Sequence, residues 1–290
     1  MYAYSKPREK SMTTSSTYSC RMIAKDIPGA EGPCFNKNGA FFMVAPNLGQ
    51  VVRVTDEGDV VEFANTGGIP AGLQCDKDNV LWVADMKLGV LSVTTDGCVH
   101  PEIVEFDGKP MRGCNDCAFD SKGNLYITAP AGSSASTPDG EIFCRLADGS
   151  VSRLDGGFQF CNGIAVSGDD KLLIVAETLT KTLWAYDIVA PGEVTNRREW
   201  GHHPEGGLGP DGLDFDVQGN LLAAYWGGSS LDVFDPSGEL IERVMLPFKA
   251  PSNLHFGGED NRTVYITEHD TNGVWRLTWK HAGQPQLCNR

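Results

Sequence analysis

Six stretches of this chain repeat one pattern, in which a polar or small residue stands four positions before an apolar one and a run with strand character follows. They are EGPCF, AGLQC, NDCAF, NGIAV, DGLDF and SNLHF, so Glu31, Ala71, Asn115, Asn162, Asp211 and Ser252 share one phase. Each opens a unit of short runs rich in Val, Ile, Leu, Phe, Tyr and Trp, separated by turn clusters such as SKGN, DVQG, DEGD, ADGS and PSGE. The turn residues Gly39, Asn79, Gly123, Lys171, Gly219 and Asn261 return every roughly 40 to 48 residues, the spacing of a four-stranded blade and not of a helical or leucine-rich repeat. Amphipathic helical periodicity is absent. The predicted fold is all-β, a six-bladed β-propeller with four-stranded blades around a central channel. It takes up residues 20–290 as one domain, behind a polar tail at 1–19 that is expected to be disordered.

A ring left open between its first and last blades would bare strand edges. The apolar run CRMIAKDI at 20–27 is predicted to form an outermost strand or to add to the last blade.

A net charge of −14 argues against a nucleic-acid partner, because phosphate binding draws on clustered Lys and Arg. No apolar run is long enough to span a membrane, and the first residues lack the apolar segment of a secretory signal. Nine scattered cysteines, several inside apolar runs (Cys34, Cys75, Cys117, Cys144), fit buried free thiols in a reducing compartment, so a cytoplasmic monomer is expected. Cys114 and Cys117 form a CxxC without a second such pair at zinc-ribbon distance, and are taken as packing residues. The sequon at Asn261 is taken as a turn, and His202 and His203 as loop residues.

In a propeller the start of each innermost strand and the end of the second strand lie on the same face, so a phase in sequence becomes a ring in space. Glu31, Asn115, Asn162 and Asp211 should therefore meet at the channel mouth. Two carboxylates and two amide oxygens, without Cys or His, describe a site for a hard cation, and calcium fits best. An Asn or Asp before Gly is ordinarily a turn former; four at one phase of a repeat point to ligands. Three residues further along, Cys34, Gln74, Ala118, Ala165, Asp214 and His255 form a deeper ring. There Asp214, His255 and the carbonyl of Leu254 either hold a second cation or make a hydrogen-bonded pair that fills the channel. The second-strand ends Pro46, Asp85, Met86, Pro130, Glu177, Thr178, Trp226 and His269 are expected to line the pocket above the mouth, with His269 placed to orient a substrate or move a proton.

Over about 27–279 the chain resembles the squid-type diisopropyl fluorophosphatases, within the wider superfamily of regucalcin and gluconolactonase propellers. The motifs DIPGAEGP, GGIPAG, CDKD, VADM, GCNDCAFD, GNLYITAPAG, FQFCNGIAV, LIVAET, PSNLHF and TEHD carry that resemblance. It implies a calcium-dependent hydrolase with two ions, one on Glu31, Asn115, Asn162 and Asp211, the other on Asp214, Leu254 and His255. It also implies a substrate pocket of Gln74, Met86, Asp116, Phe160, Trp226, Ser252, Asn253 and His269. Two rim segments, SSASTPDG and APNLGQ, look shorter than in that family, and Cys161 stands where a Pro usually precedes the Asn ligand.

The expected activity is cleavage of phosphotriester or phosphorofluoridate bonds, with Asp211 acting as a nucleophile on phosphorus or as a base toward water. A calcium-dependent lactonase acting on a small lactone is the first alternative. A calcium-binding propeller without activity is the second.

Overall fold

The computed structural model describes residues 18–130 and 132–290, together with the backbone of Thr13–Ser15. Six antiparallel sheets succeed one another along the chain, one per repeat unit, and each runs outward from its innermost strand in sequence order. The innermost strands are Glu31–Phe35, Pro70–Cys75, Cys117–Phe119, Cys161–Val166, Gly209–Phe215 and Pro251–Gly257, for blades 1 to 6 respectively. Second strands such as Phe41–Ala45, Leu81–Asp85 and Leu125–Ala129 are buried along their whole length, which is why they read as continuous apolar runs and not as alternating ones.

The core is divided six ways. One apolar cluster lies between each pair of neighbouring blades, for example Val83, Leu91 and Val44 between blades 1 and 2, and Leu213, Ala223 and Ala176 between blades 4 and 5. Each blade thus buries apolar surface on both faces, and neither face can do so without its neighbour.

Closure has two parts. Arg21–Ala24 pairs antiparallel with Gly273–Thr278 as the outermost strand of blade 6, so the run before blade 1 completes the last blade. The second part is not apparent from sequence. The stretch QPQLCNR ends no strand; it crosses the lower face, with Leu287 and Cys288 buried in a single short 3-10 turn. Of the expected disordered tail at 1–19, residues 1–12, 16 and 17 lie outside the described residues. The backbone of Thr13–Ser15 runs parallel to Leu240–Met245 of blade 5, and Tyr18 stacks on Trp279 at 5.1 Å.

Among the described residues no helix is long and apolar enough to cross a membrane. All nine cysteines are free, Cys114 and Cys117 both being buried. His202 corrects the loop expectation by ending the strand Glu193–His202, while His203 lies in the loop as expected. It is fully buried, its Nδ1 lies 2.9 Å from Asp232 Oδ2, and its ring packs 4.8 Å from that of Tyr225. Its charged form is disfavoured by that burial, so its pKa falls below the ordinary value.

Candidate active site

At the ligand phase the sheet ladder is interrupted. Register shifts fall between Glu31 and Cys34, Pro70 and Gly72, Cys161 and Ile164, Pro210 and Leu213, and Pro251 and Asn253. Each is a bulge that places one extra residue on the innermost strand, frees that residue from the ladder and re-aims its side chain. In blade 3 the strand begins only at Cys117, and Asn115 is held by its own N–H on the Thr128 carbonyl at 2.8 Å. The NG and DG pairs are therefore not turns. A Cβ on Gly163 would stand 2.1 Å from the carbonyl oxygen of Asp211, and one on Gly212 would stand 2.1 Å from Asn253 Oδ1. Glycine is there because the next blade's strand passes that close.

Glu31, Asp116 and Asp211 gather at the mouth close enough to raise one another's proton affinity. Burial pushes the Glu31 carboxyl up to about 8 and the Asp116 carboxyl up to about 7. Asp211 is held well above the usual carboxylate range, first by burial and then by its two acidic neighbours. Their hydrogen bonding differs. Glu31 Oε2 accepts the Gly32 N–H at 3.1 Å, and Asp116 Oδ1 accepts the Cys117 N–H at 2.9 Å. The Asn253 side chain lies near both and favours their charged forms, while its Oδ1 accepts the Leu254 N–H at 2.8 Å. Beside Asp211 stands the Asn162 side chain, which favours its charged form.

Among the described residues no Lys or Arg pairs with any of these three carboxylates; the group facing Glu31 is the His269 imidazole, Nε2 at 3.5 Å from Oε1. Three neighbouring carboxylates, Asp116 and Asp211 buried and Glu31 partly so, are costly as anions without a fixed cation. Among the described residues no group of three or more His, Cys, Asp or Glu side chains could hold a metal by itself. A cation bound here would need oxygens from the amides as well. The chemistry of the donors thus fits a calcium ion on Glu31, Asn115, Asn162 and Asp211.

Hydroxyls on the second strands hold these segments in register. Thr128 Oγ1 accepts the Asp116 N–H at 3.0 Å and donates to the Asn162 carbonyl of the next blade at 2.6 Å. At the equivalent place in blade 6, Thr267 Oγ1 accepts the Asn253 N–H at 3.0 Å and meets Ser252 Oγ at 2.9 Å; Ser252 donates on to the Ala30 carbonyl of blade 1 at 2.9 Å. Thr178 Oγ1 donates to the Pro210 carbonyl, beside Asp211, at 2.8 Å and accepts the Asn162 amide at 3.1 Å. The roles of Thr128 and Thr267 went unread in the sequence, although LYIT and VYIT stand at one phase of the repeat.

Around the mouth, Trp226 and His269 are joined: the indole Nε1–H donates to His269 Nδ1 at 3.2 Å. Phe160 takes a left-handed backbone conformation, φ 70°, fixed by its N–H on Ser133 Oγ and its carbonyl on the Thr178 N–H, both at 3.0 Å. An aromatic residue in that region stores strain of about 1–3 kcal/mol. Met86 is half-buried and bridges blades through its backbone, N–H to the Ile69 carbonyl and carbonyl to the Gly113 N–H, both at 2.8 Å. Gln74 is half-buried on the innermost strand of blade 2. Two expected lining residues are corrected. Asp85 is fully buried and accepts the N–H groups of Ile69, Lys87 and Leu88; Glu177 is buried against the Thr180 hydroxyl and the Trp184 indole. Both carboxylates bind their own loops instead of lining the pocket, as Glu268 does with Thr271 and Gly273.

Below the mouth, Asp214 Oδ1 accepts the Phe215 N–H at 2.8 Å and Oδ2 accepts the Phe256 N–H at 3.2 Å. His255 Nδ1 is 3.7 Å from Asp214 Oδ2, too far for a hydrogen bond, so the pair does not close the channel on itself. Burial pushes the Asp214 carboxyl up to about 7 and His255 down to about 4. Leu254 precedes His255 on the innermost strand of blade 6, next to the blade 5 strand that carries Asp214, and the set of a carboxylate, a neutral imidazole and a carbonyl fits a second cation.

Comparison with known proteins agrees with this fold. Residues 30–270 match the family described as the SMP-30/Gluconolactonase/LRE-like region. The chain is 47% identical to the diisopropyl-fluorophosphatase of Loligo vulgaris, covering 92% of this chain and 94% of that protein. It is 28% identical to a gluconolactonase of Zymomonas mobilis, over 90% of this chain and 82% of that one. Among solved structures, a calcium-binding regucalcin of Agrobacterium tumefaciens superposes with a TM-score of 0.81 at 20% identity, covering 94% and 98% of the two chains; at that identity the likeness concerns the fold.

Proposed function

Since the chain belongs to the SMP-30/gluconolactonase/LRE-like family, we propose that it is a calcium-dependent hydrolase of phosphorofluoridate and related phosphotriester bonds. One observation carries the reading: three neighbouring carboxylates without Lys or Arg partners converge at the mouth of a propeller that is 47% identical to a diisopropyl-fluorophosphatase.

The catalytic ion would sit on Glu31, Asn115, Asn162 and Asp211, and a second on Asp214, His255 and the Leu254 carbonyl. Bound at the mouth, calcium supplies Lewis-acid polarisation of the phosphoryl oxygen. The chain's residues do the rest. Asp211, buried beside the Glu31 and Asp116 carboxyls, is the carboxylate that would either attack phosphorus as fluoride leaves, water then releasing the phosphoryl group, or take a proton from the water that displaces fluoride. Asn162 and the Thr178 hydroxyl fix its angle. Trp226, Met86 and Phe160 wall the pocket and restrict water. His269 presents Nε2–H toward Glu31 and orients the substrate; Gln74, Asp116, Ser252 and Asn253 shape the floor. Nine free cysteines support a cytoplasmic setting, and the scattered placement of exposed apolar side chains supports a monomer.

The test is hydrolysis of diisopropyl fluorophosphate beside a panel of aldonolactones, each with calcium and with chelator. Fluoride release that needs calcium and exceeds lactone opening is the expected result. Lactone opening alone would assign the pocket to the lactonase reading, and no turnover of either would leave a calcium-binding propeller.

A further inference from the structure

The segment after the last blade strand is tied to the whole ring. Gly283 N–H donates to the Asn261 carbonyl at 2.7 Å, and the Asn261 amide returns a bond to the Gly283 carbonyl at 2.8 Å in blade 6. Gln284 N–H reaches the Phe215 carbonyl of blade 5 at 2.9 Å, and its side chain reaches the Val166 carbonyl of blade 4 at 2.7 Å. Leu287 lines one crevice with Trp82 of blade 2 and Phe119 of blade 3. The Cys288 thiol lies 3.5 Å from the Phe35 carbonyl of blade 1 and packs with Cys34 and Cys75. Between these anchors Gln286 enters the axis, its Nε2 at 3.2 Å from Asp214 Oδ1 and 3.5 Å from Oδ2.

An amide has a donor end and an acceptor end related by a half-turn of the side chain. Facing a bare carboxylate it presents nitrogen; facing a cation held by that carboxylate it presents oxygen. We propose that Gln286 is a further oxygen donor, direct or through one water, to the cation expected at Asp214, Leu254 and His255. Docking of the segment 283–290 across the lower face is then linked to that ion. This rests on the second-ion reading above. The physical requirement is simple linkage: an ion that binds better when the segment is seated must seat the segment when it binds. No residue of the mouth is involved, so the upper ion is an internal reference.

The experiment uses the full chain. Calcium stoichiometry and affinities are measured by titration calorimetry, and hydrogen–deuterium exchange is followed in peptides covering 280–290, in calcium and in chelator. The wild type should bind two ions, and chelation should speed exchange in the segment by about tenfold or more. Gln286→Leu should weaken the lower ion by at least about tenfold while the upper affinity holds. Gln286→Glu, which keeps the length and adds charge, should tighten the lower ion and make the chelated protein melt at a lower temperature. Should Leu at 286 prevent folding, the Glu variant still carries the test through the opposite sign. Two bound ions with segment exchange indifferent to calcium, or with both affinities unchanged in the variants, would overturn the linkage. Fewer than two ions in the wild type would overturn the second site itself.

Discussion

Trp226 Nε1–H donates to His269 Nδ1 at 3.2 Å, which fixes the tautomer of the imidazole. An indole nitrogen only donates, so Nδ1 is the acceptor and the proton of neutral His269 sits on Nε2. That atom is buried, without a hydrogen-bond partner, and 3.5 Å from Glu31 Oε1. Burial also holds the imidazole below its ordinary pKa. A neutral, oriented N–H therefore faces the mouth, where it meets a substrate oxygen more readily than it takes up a proton.

Replacing Trp226 with Phe keeps the wall and removes the tautomer lock. One neutral hydrogen bond is worth about 0.5–1.5 kcal/mol, or about 2- to 12-fold, so kcat should fall within that range while KM moves less. Steady-state kinetics on a fluorophosphate checks it, and a KM effect without a kcat effect would reduce Trp226 to a wall.

Asp211→Asn should lower fluoride release by at least about a thousandfold, because an amide neither attacks phosphorus nor accepts a proton from water. A single turnover in water enriched in heavy oxygen separates the two routes. If the carboxylate attacks and water then opens the acyl phosphate at its carboxyl carbon, the label of the first turnover enters the Asp211 peptide; if water attacks phosphorus, it enters the phosphate product at once.

Gly163→Ala should be destabilising by about 1–3 kcal/mol or more, since the added Cβ would sit 2.1 Å from the backbone oxygen of Asp211. Urea titration in saturating calcium measures the loss. A fully stable variant with unchanged calcium affinity would show that blades 4 and 5 do not pass so close.

His203 gives a pH signature remote from the mouth. Its pKa is lowered in the fold by burial. Asp232 is pushed up by burial but brought below the usual carboxylate range by hydrogen bonds from His203 and Arg243. For a base whose folded pKa is depressed, the stabilisation is full above the unfolded value and is lost as pH falls from there toward the folded value. Stability in calcium should decline below about pH 6.5, with a slope from this group of at most about 1.4 kcal/mol per pH unit. The substitution His203→Gln should flatten that slope, as read by urea unfolding at several pH values; an unchanged slope would place the titration elsewhere.

Repeat phase in the linear sequence was enough to find the blades, the closing strand and the oxygen-bearing residues at their inner ends. Residues on adjacent strands of one unit, such as Asn162 and Glu177, could be assigned to one face without coordinates. The direction of Asp85 and Glu177 was not legible, because a carboxylate at a strand end serves a pocket or its own hairpin equally well, and only the nearby N–H groups decide. The burial of His203 escaped for the same reason. Its neighbours in sequence are loop-like, while its partners Asp232 and Tyr225 arrive from other strands.

What the sequence determined by itself is the count and order of the blades and the kind of atom at the axis, since both follow from periodicity and side-chain chemistry. What only the tertiary structure decided is how those atoms meet. The bulges at Asn162 and Asp211, the Thr128 bond from one blade to the next and the seat of Gln286 on Asp214 depend on distances between strands far apart in the chain. Such distances are fixed by the closing of the ring, a condition on all six blades at once, and no single repeat carries it.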